Sequence, residues 1–95
     1  MIDRITKNEE RLDNINLSIR NLEDALNEFK SNKKDIVQLK KYYGSKSWFK
    51  DKENFEKGSI PKVKAGVLSE DSVWNTLDDI DELIKDMQKV IDEYK

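Results

Sequence analysis

The residue pattern predicts an all-α fold: an antiparallel helical hairpin of a long N-terminal helix and a C-terminal helix, with a short helix and ordered loop between them. Three observations carry this. In residues 69–95, Val73, Leu77, Ile80, Ile84, Met87, Ile91 and Tyr94 recur at alternating steps of four and three, which lines them along one side of a helix as a heptad seam. Ile5, Leu12, Ile15, Ile19, Leu22, Leu26, Phe29 and Ile36 follow the same rule near the other end. All three glycines and the single proline fall between these seams, in residues 44–68.

The first helix is expected over about 3–43, from Asp3 or Arg4 to the left-handed stop that Gly44 offers. Its seam is regular through Phe29. Lys33 and Lys40 then fall where apolar residues belong, while Ile36, Val37, Leu39, Tyr42 and Tyr43 widen the apolar side. That change of phase predicts a kink near Ser31–Asn32. Roughly 60 Å of helix is more seam than the last helix covers, so self-association is expected. Leu17, on the outer side of the heptad, points to a further contact.

In the connector, 44–68, Ser45 or Ser47 is placed to cap a short helix carrying Trp48, Phe49 and Phe55 and ending at Gly58, with a turn at Ser59-Ile60-Pro61. Bulky aromatics gain from burial, so the segment reads as ordered. The last helix, 69–95, has the fullest start signal. Ser69 is its N-cap, Glu70 and Asp71 place negative charge in the first turn, and Leu68 and Val73 flank the cap as a hydrophobic staple. Lys85, Lys89 and Lys95 lean toward its C-terminus. Trp74, Leu83 and Val90 widen its stripe beyond a two-stranded seam, so it is expected to touch at least two other elements.

Ninety-five residues make a single domain, 1–95, of a size that gains from a partner chain. Charged residues are 40% and hydrophobic ones 36%, a balance that would mean disorder were the apolar residues not held at helical spacing. There is no cysteine and no histidine, which removes disulfides, thiolate chemistry and the commonest acid–base and metal-binding side chain. The charged N-terminal stretch has no leader-like apolar core, and no run approaches the ~20 apolar residues of a membrane span. A cytoplasmic protein is expected. Charge divides into three blocks: residues 1–31 hold five basic against seven acidic side chains, 32–68 ten against four, and 69–95 three against nine. A basic middle and an acidic last helix attract each other, although solvation of two separate faces is the plainer reading.

Tyr42-Tyr43-Gly44-Ser45 with Trp48 following, and Gly66-Val67-Leu68-Ser69-Glu70-Asp71, resemble the two signature stretches of a family of small bacterial helical proteins, domain of unknown function 4298. The resemblance spans essentially the whole chain and implies the same layout of long helix, aromatic connector and second helix. It implies no catalytic or binding residue.

Four chemistries compete with plainer roles for these residues. Asp78, Asp79, Asp81, Glu82 and Asp86, or Glu9, Glu10 and Asp13, could suggest a metal site. With Leu12 and Leu77 on the seams, however, Glu10, Asp13, Asp78, Asp79, Glu82 and Asp86 point outward, whereas bundle metal sites need inward carboxylates. Gly44-Ser45-Lys46-Ser47 lacks the order and the preceding strand of a phosphate loop, and capping explains its serines better. Lys46, Lys50, Lys52, Lys57, Lys62 and Lys64 among Tyr42, Tyr43, Trp48, Phe49 and Phe55 have the ingredients of a nucleic-acid surface. An acidic pI, three arginines with none in the connector, and the fitness of the rings for a core weigh against it. The acidic outer face of the last helix could mimic a row of phosphates, but a solvated face is the ordinary outcome.

The expected function is therefore non-enzymatic: a protein–protein interaction module or scaffold acting through helix–helix contacts, a homo-oligomer with an unidentified protein partner, no cofactor and no membrane association. The alternative is a nucleic-acid-associated protein using the basic aromatic connector 42–64. No catalytic or metal-binding residue is assigned. Candidate interaction residues are Tyr42, Tyr43, Trp48, Phe49, Lys50, Lys52, Lys62 and Lys64.

Overall fold

The computed structural model describes residues 1–61 and 63–95. The chain is all-α. Among the described residues it forms α1 (Ile2–Ser31), α2 (Lys33–Tyr42), α3 (Lys46–Glu56), a 3-10 turn at Gly66–Leu68 and α4 (Glu70–Glu93), with no strand. By their internal contacts the residues fall into two units, Met1–Val37 and Gln38–Lys95.

The first unit is α1 with the start of α2. The change of seam phase coincides with a real interruption: α1 ends at Ser31 and α2 begins at Lys33, with Asn32 between them at φ −85 and ψ 0. The Ser31 hydroxyl donates to the Glu28 carbonyl at 2.6 Å and the Asn32 N–H to the Phe29 carbonyl at 3.1 Å, so the last turn tightens instead of propagating. The Ile36 N–H reaches the Asn32 carbonyl at 2.9 Å and helical winding resumes. No residue of α1 is buried.

In the second unit each helix end has a side-chain or backbone device that the residue order supplies. Gly44 ends α2 at φ 77, a conformation that costs an L side chain but not glycine. Ser45, extended at φ −72 and ψ 167, caps α3 by accepting from the Trp48 N–H at 3.2 Å. At the far end of α3 the Gly58 N–H bonds the Phe55 carbonyl at 3.1 Å and the Ser59 N–H the Asn54 carbonyl at 2.9 Å, with Gly58 at φ 71. That pairing is a Schellman motif, and it stops the helix where the glycine stands. Ser69, at φ −81 and ψ 120, starts α4 by accepting from the Ser72 N–H at 3.3 Å. Leu68 and Val73 on either side of this cap are both buried, with Trp48 the third buried apolar residue.

One charge expectation needs adjusting. The last turn of α4 carries Asp92 and Glu93 and no basic residue, so the lysines lie too early or too late to complement the helix end, and Lys95 instead approaches Asp92 at 3.9 Å. Among the described residues the ion pairs are Lys57–Glu53, Lys85–Glu82 and Lys95–Asp92, each exposed and within one helix or its end. Pairs of that kind contribute ~0.5 kcal/mol or less, so the opposed charge blocks are solvated faces and not an internal clamp.

The cap gives a direct check. Ser69→Ala removes the acceptor for the Ser72 N–H and should lower stability by ~1 kcal/mol in urea unfolding with the slope unchanged. An unaltered midpoint would mean that the cap carries no stabilisation.

Candidate functional site

The residues singled out by the connector pattern converge around one indole. Trp48 sits on the first turn of α3, where the Ser45 cap sets its backbone, and only 2% of its surface is exposed. Its Nε1–H donates to the Val67 carbonyl at 2.8 Å, so the polar edge of a buried ring is paired across the connector. Tyr43 packs against it edge-on at 5.2 Å between ring centroids, and Phe49 does so at 4.9 Å. The Lys52 ammonium lies 5.2 Å from the indole centroid, a cation–π contact made from one turn further along α3.

The two tyrosines link helix ends through their hydroxyls. Tyr43 donates to the Glu70 carbonyl at 3.2 Å, tying the end of α2 to the first turn of α4. Tyr42 donates to Asp51 Oδ2 at 2.7 Å, tying the same end to α3. Accepting that hydrogen bond, Asp51 holds the Tyr42 phenol in its neutral form, and partial burial and the carboxylate's charge act in the same sense. The phenol is pushed up to about 12 from an ordinary 10.

The candidate interaction residues thus divide. Tyr42, Tyr43 and Trp48 are part of the packing that orders the connector. Lys52 is half-buried on Trp48, while Phe49, Lys50 and Lys64 are exposed. Lys62 lies outside the described residues. Trp48 has no free face on which a base could stack. Asp51 and the Val67 carbonyl were not singled out by the sequence reading. A carboxylate one turn after a capped tryptophan was the available signal for Asp51, while a carbonyl acceptor has no side-chain signature at all.

Two shallow pockets flank the cluster. One, of about 400 Å³, is lined by Lys52, Phe55, Leu68 and the start of α4 at Ser69, Glu70 and Asp71. The other, of about 430 Å³, is lined mainly by Leu39, Val67, Val73 and Thr76, with Lys64 at its wall. Among the described residues no three carboxylates gather as metal ligands, and no helix is long and apolar enough to cross a membrane.

Two outcomes follow from this geometry. Trp48→Ala should cost ~3–5 kcal/mol of stability, and Trp48→Phe ~1–3 kcal/mol, because it keeps most of the ring but orphans the Val67 carbonyl. Chemical unfolding followed by circular dichroism checks both, and a Trp48→Phe variant as stable as the wild type would show that the hydrogen bond adds nothing. Because the Tyr42 pKa is higher folded than unfolded, its contribution is complete below pH 10 and is lost as pH rises toward about 12. In an alkaline absorbance titration one tyrosine should ionise late, and Asp51→Asn should bring it back toward the others. A wild-type curve with every tyrosine ionising together near pH 10 would remove the Tyr42–Asp51 bond.

Comparison with known proteins gives one result. Residues 5–90 match the family model described as Domain of unknown function (DUF4298), nearly the whole chain. No curated protein and no solved structure matches it. With a capped α3, a tryptophan buried against the Val67 carbonyl and the match running through both motifs, the chain belongs to the domain of unknown function 4298 family.

Proposed function

We propose that this protein is a small, non-enzymatic interaction module that works through helix–helix contacts. The observation that supports the reading is the apolar stripe of α1. Ile5, Leu12, Ile15, Ile19, Leu22 and Leu26 repeat with heptad spacing, yet each is between 41% and 63% exposed. Within Met1–Val37 the only other element is the start of α2, so this unit holds nothing that covers the stripe. Scattered exposed leucines are ordinary. A stripe that runs ~32 Å along one helix, from Ile5 to Leu26, is a docking surface for another helix.

The Trp48 cluster supports the same reading in a different way. Its rings and hydroxyls are spent on holding α2, α3 and α4 in the second unit, which makes it a scaffold and not a ligand site. A cytoplasmic, bacterial setting belongs to this reading too, since a cysteine-free chain makes no use of an oxidising compartment.

Cross-linking inside the host tests it. A lysine-reactive reagent should join α1, through Lys7 or Lys30, to another polypeptide, and combined Leu12→Lys, Ile19→Lys and Leu26→Lys should abolish that product while leaving the tryptophan fluorescence of the second unit, from Trp48 and Trp74, unchanged. A product that persists in the triple variant would overturn the helix-docking function.

A further inference from the structure

The α1 stripe also carries information about what covers it. Resting on the interaction reading above, we propose that α1 pairs antiparallel with α1 of a second copy of this chain, in the register that sets Leu12 against the partner's Phe29, Ile15 against the partner's Leu26 and Ile19 against the partner's Leu22. All of these residues lie on the unbroken helix Ile2–Ser31. In this register every one of these layers is apolar on both sides.

Charge complementarity selects the register. Glu9 and Lys30 occupy equivalent flanking positions, each directly following a seam residue, Asn8 and Phe29. Antiparallel pairing in the stated register brings Glu9 beside the partner's Lys30, twice by symmetry, and Asn16 beside the partner's Glu23. On the other flank Arg11 meets the partner's Asn32 and Ser18 the partner's Ala25, so no like charges oppose. Sliding one heptad in one direction sets Glu9 against the partner's Glu23 and drives Asn8 onto the partner's Leu26. Sliding it the other way sets Glu23 against the partner's Glu23 and Lys33 onto the partner's Ile15. A parallel pair would bury Asn8 against the partner's Asn8 in a seam layer and align the two helix dipoles, whereas the antiparallel pair opposes the dipoles and leaves Asn8 near the open end of the seam.

The size of the contact is adequate. In this register residues 10–31 of the two helices overlap over ~32 Å, and a strip ~15 Å wide buries roughly 500 Å² per copy and about 1,000 Å² in all, the size of a weak, reversible interface and in keeping with a micromolar dimer.

Sedimentation of the purified full chain tests the proposal. A dimer is expected at micromolar concentration. Glu9→Lys alone and Lys30→Glu alone should each weaken it about fivefold or more, since each breaks both symmetric pairs, and the two substitutions combined in one chain should restore wild-type affinity. In a parallel pair the second substitution would not rescue the first. Because the chain has no native cysteine, disulfide trapping gives an independent readout. Leu12→Cys mixed with Phe29→Cys should oxidise to a mixed dimer, whereas Leu12→Cys alone should not cross-link, its two sulfurs being ~25 Å apart along the axis. A disulfide dimer of Leu12→Cys alone, failure of the charge swap to rescue, or a monomer at every concentration would each overturn the proposal. A monomer whose α1 is still cross-linked to a different protein in the host would retain the interaction function and remove only the second copy.

Discussion

Burial of one indole is the constraint on which the Gln38–Lys95 unit depends. Among the described residues that unit buries only Trp48, Leu68 and Val73 as apolar side chains, so the largest of them contributes a disproportionate share of its hydrophobic stabilisation. An indole is buried without penalty only if its N–H finds an acceptor. Here the acceptor is the Val67 carbonyl, which lies within the 3-10 turn that delivers Leu68 and the Ser69 cap. One hydrogen bond therefore couples the start of α3 to the approach to α4. The glycines at the ends of α2 and α3 and the serine caps then set where each helix begins and stops around it.

Electrostatics has a smaller part than the composition suggests. With charged residues at 40% of the chain, a network between blocks was open to it, but the ion pairs among the described residues stay local and exposed. Beside the Trp48–Val67 hydrogen bond, the polar side-chain contacts that join elements among the described residues are those of Tyr42 and Tyr43, which use neutral hydroxyls to reach a carboxylate and a carbonyl. Hydroxyls bring less desolvation cost than ammonium groups into a partly buried site, which suits a unit with so small a core.

The two units handle apolar surface in opposite ways. In the second, the aromatic connector closes over its own residues. In the first, a helix with a regular seam presents it to solvent, a state that favours association because most helical stability in water comes from packing of an amphipathic face. The match to the domain of unknown function 4298 family runs from residue 5 to residue 90 and so takes in residues of both units.

Local signals determined most of the fold. Heptad spacing specified the helices, Ser69 and Gly58 their limits, and the loss of seam phase after Phe29 the break at Asn32, because each of these depends on residues within a turn or two of one another. The tertiary structure decided what the aromatics do. From the residues alone a core was the favoured place for Trp48, Phe49 and Phe55 alike, yet Trp48 is buried while Phe49 is 60% and Phe55 39% exposed. The difference arises from the direction in which α3 aims each ring, and from the Val67 carbonyl, a backbone acceptor brought from across the connector. Likewise Tyr42 became a bridging donor, not a widening of an apolar face, only because the turn at Gly44 brings Asp51 within 2.7 Å. Helical periodicity is a property of neighbours in sequence, whereas the partner of a buried polar group is chosen by the path of the chain in space.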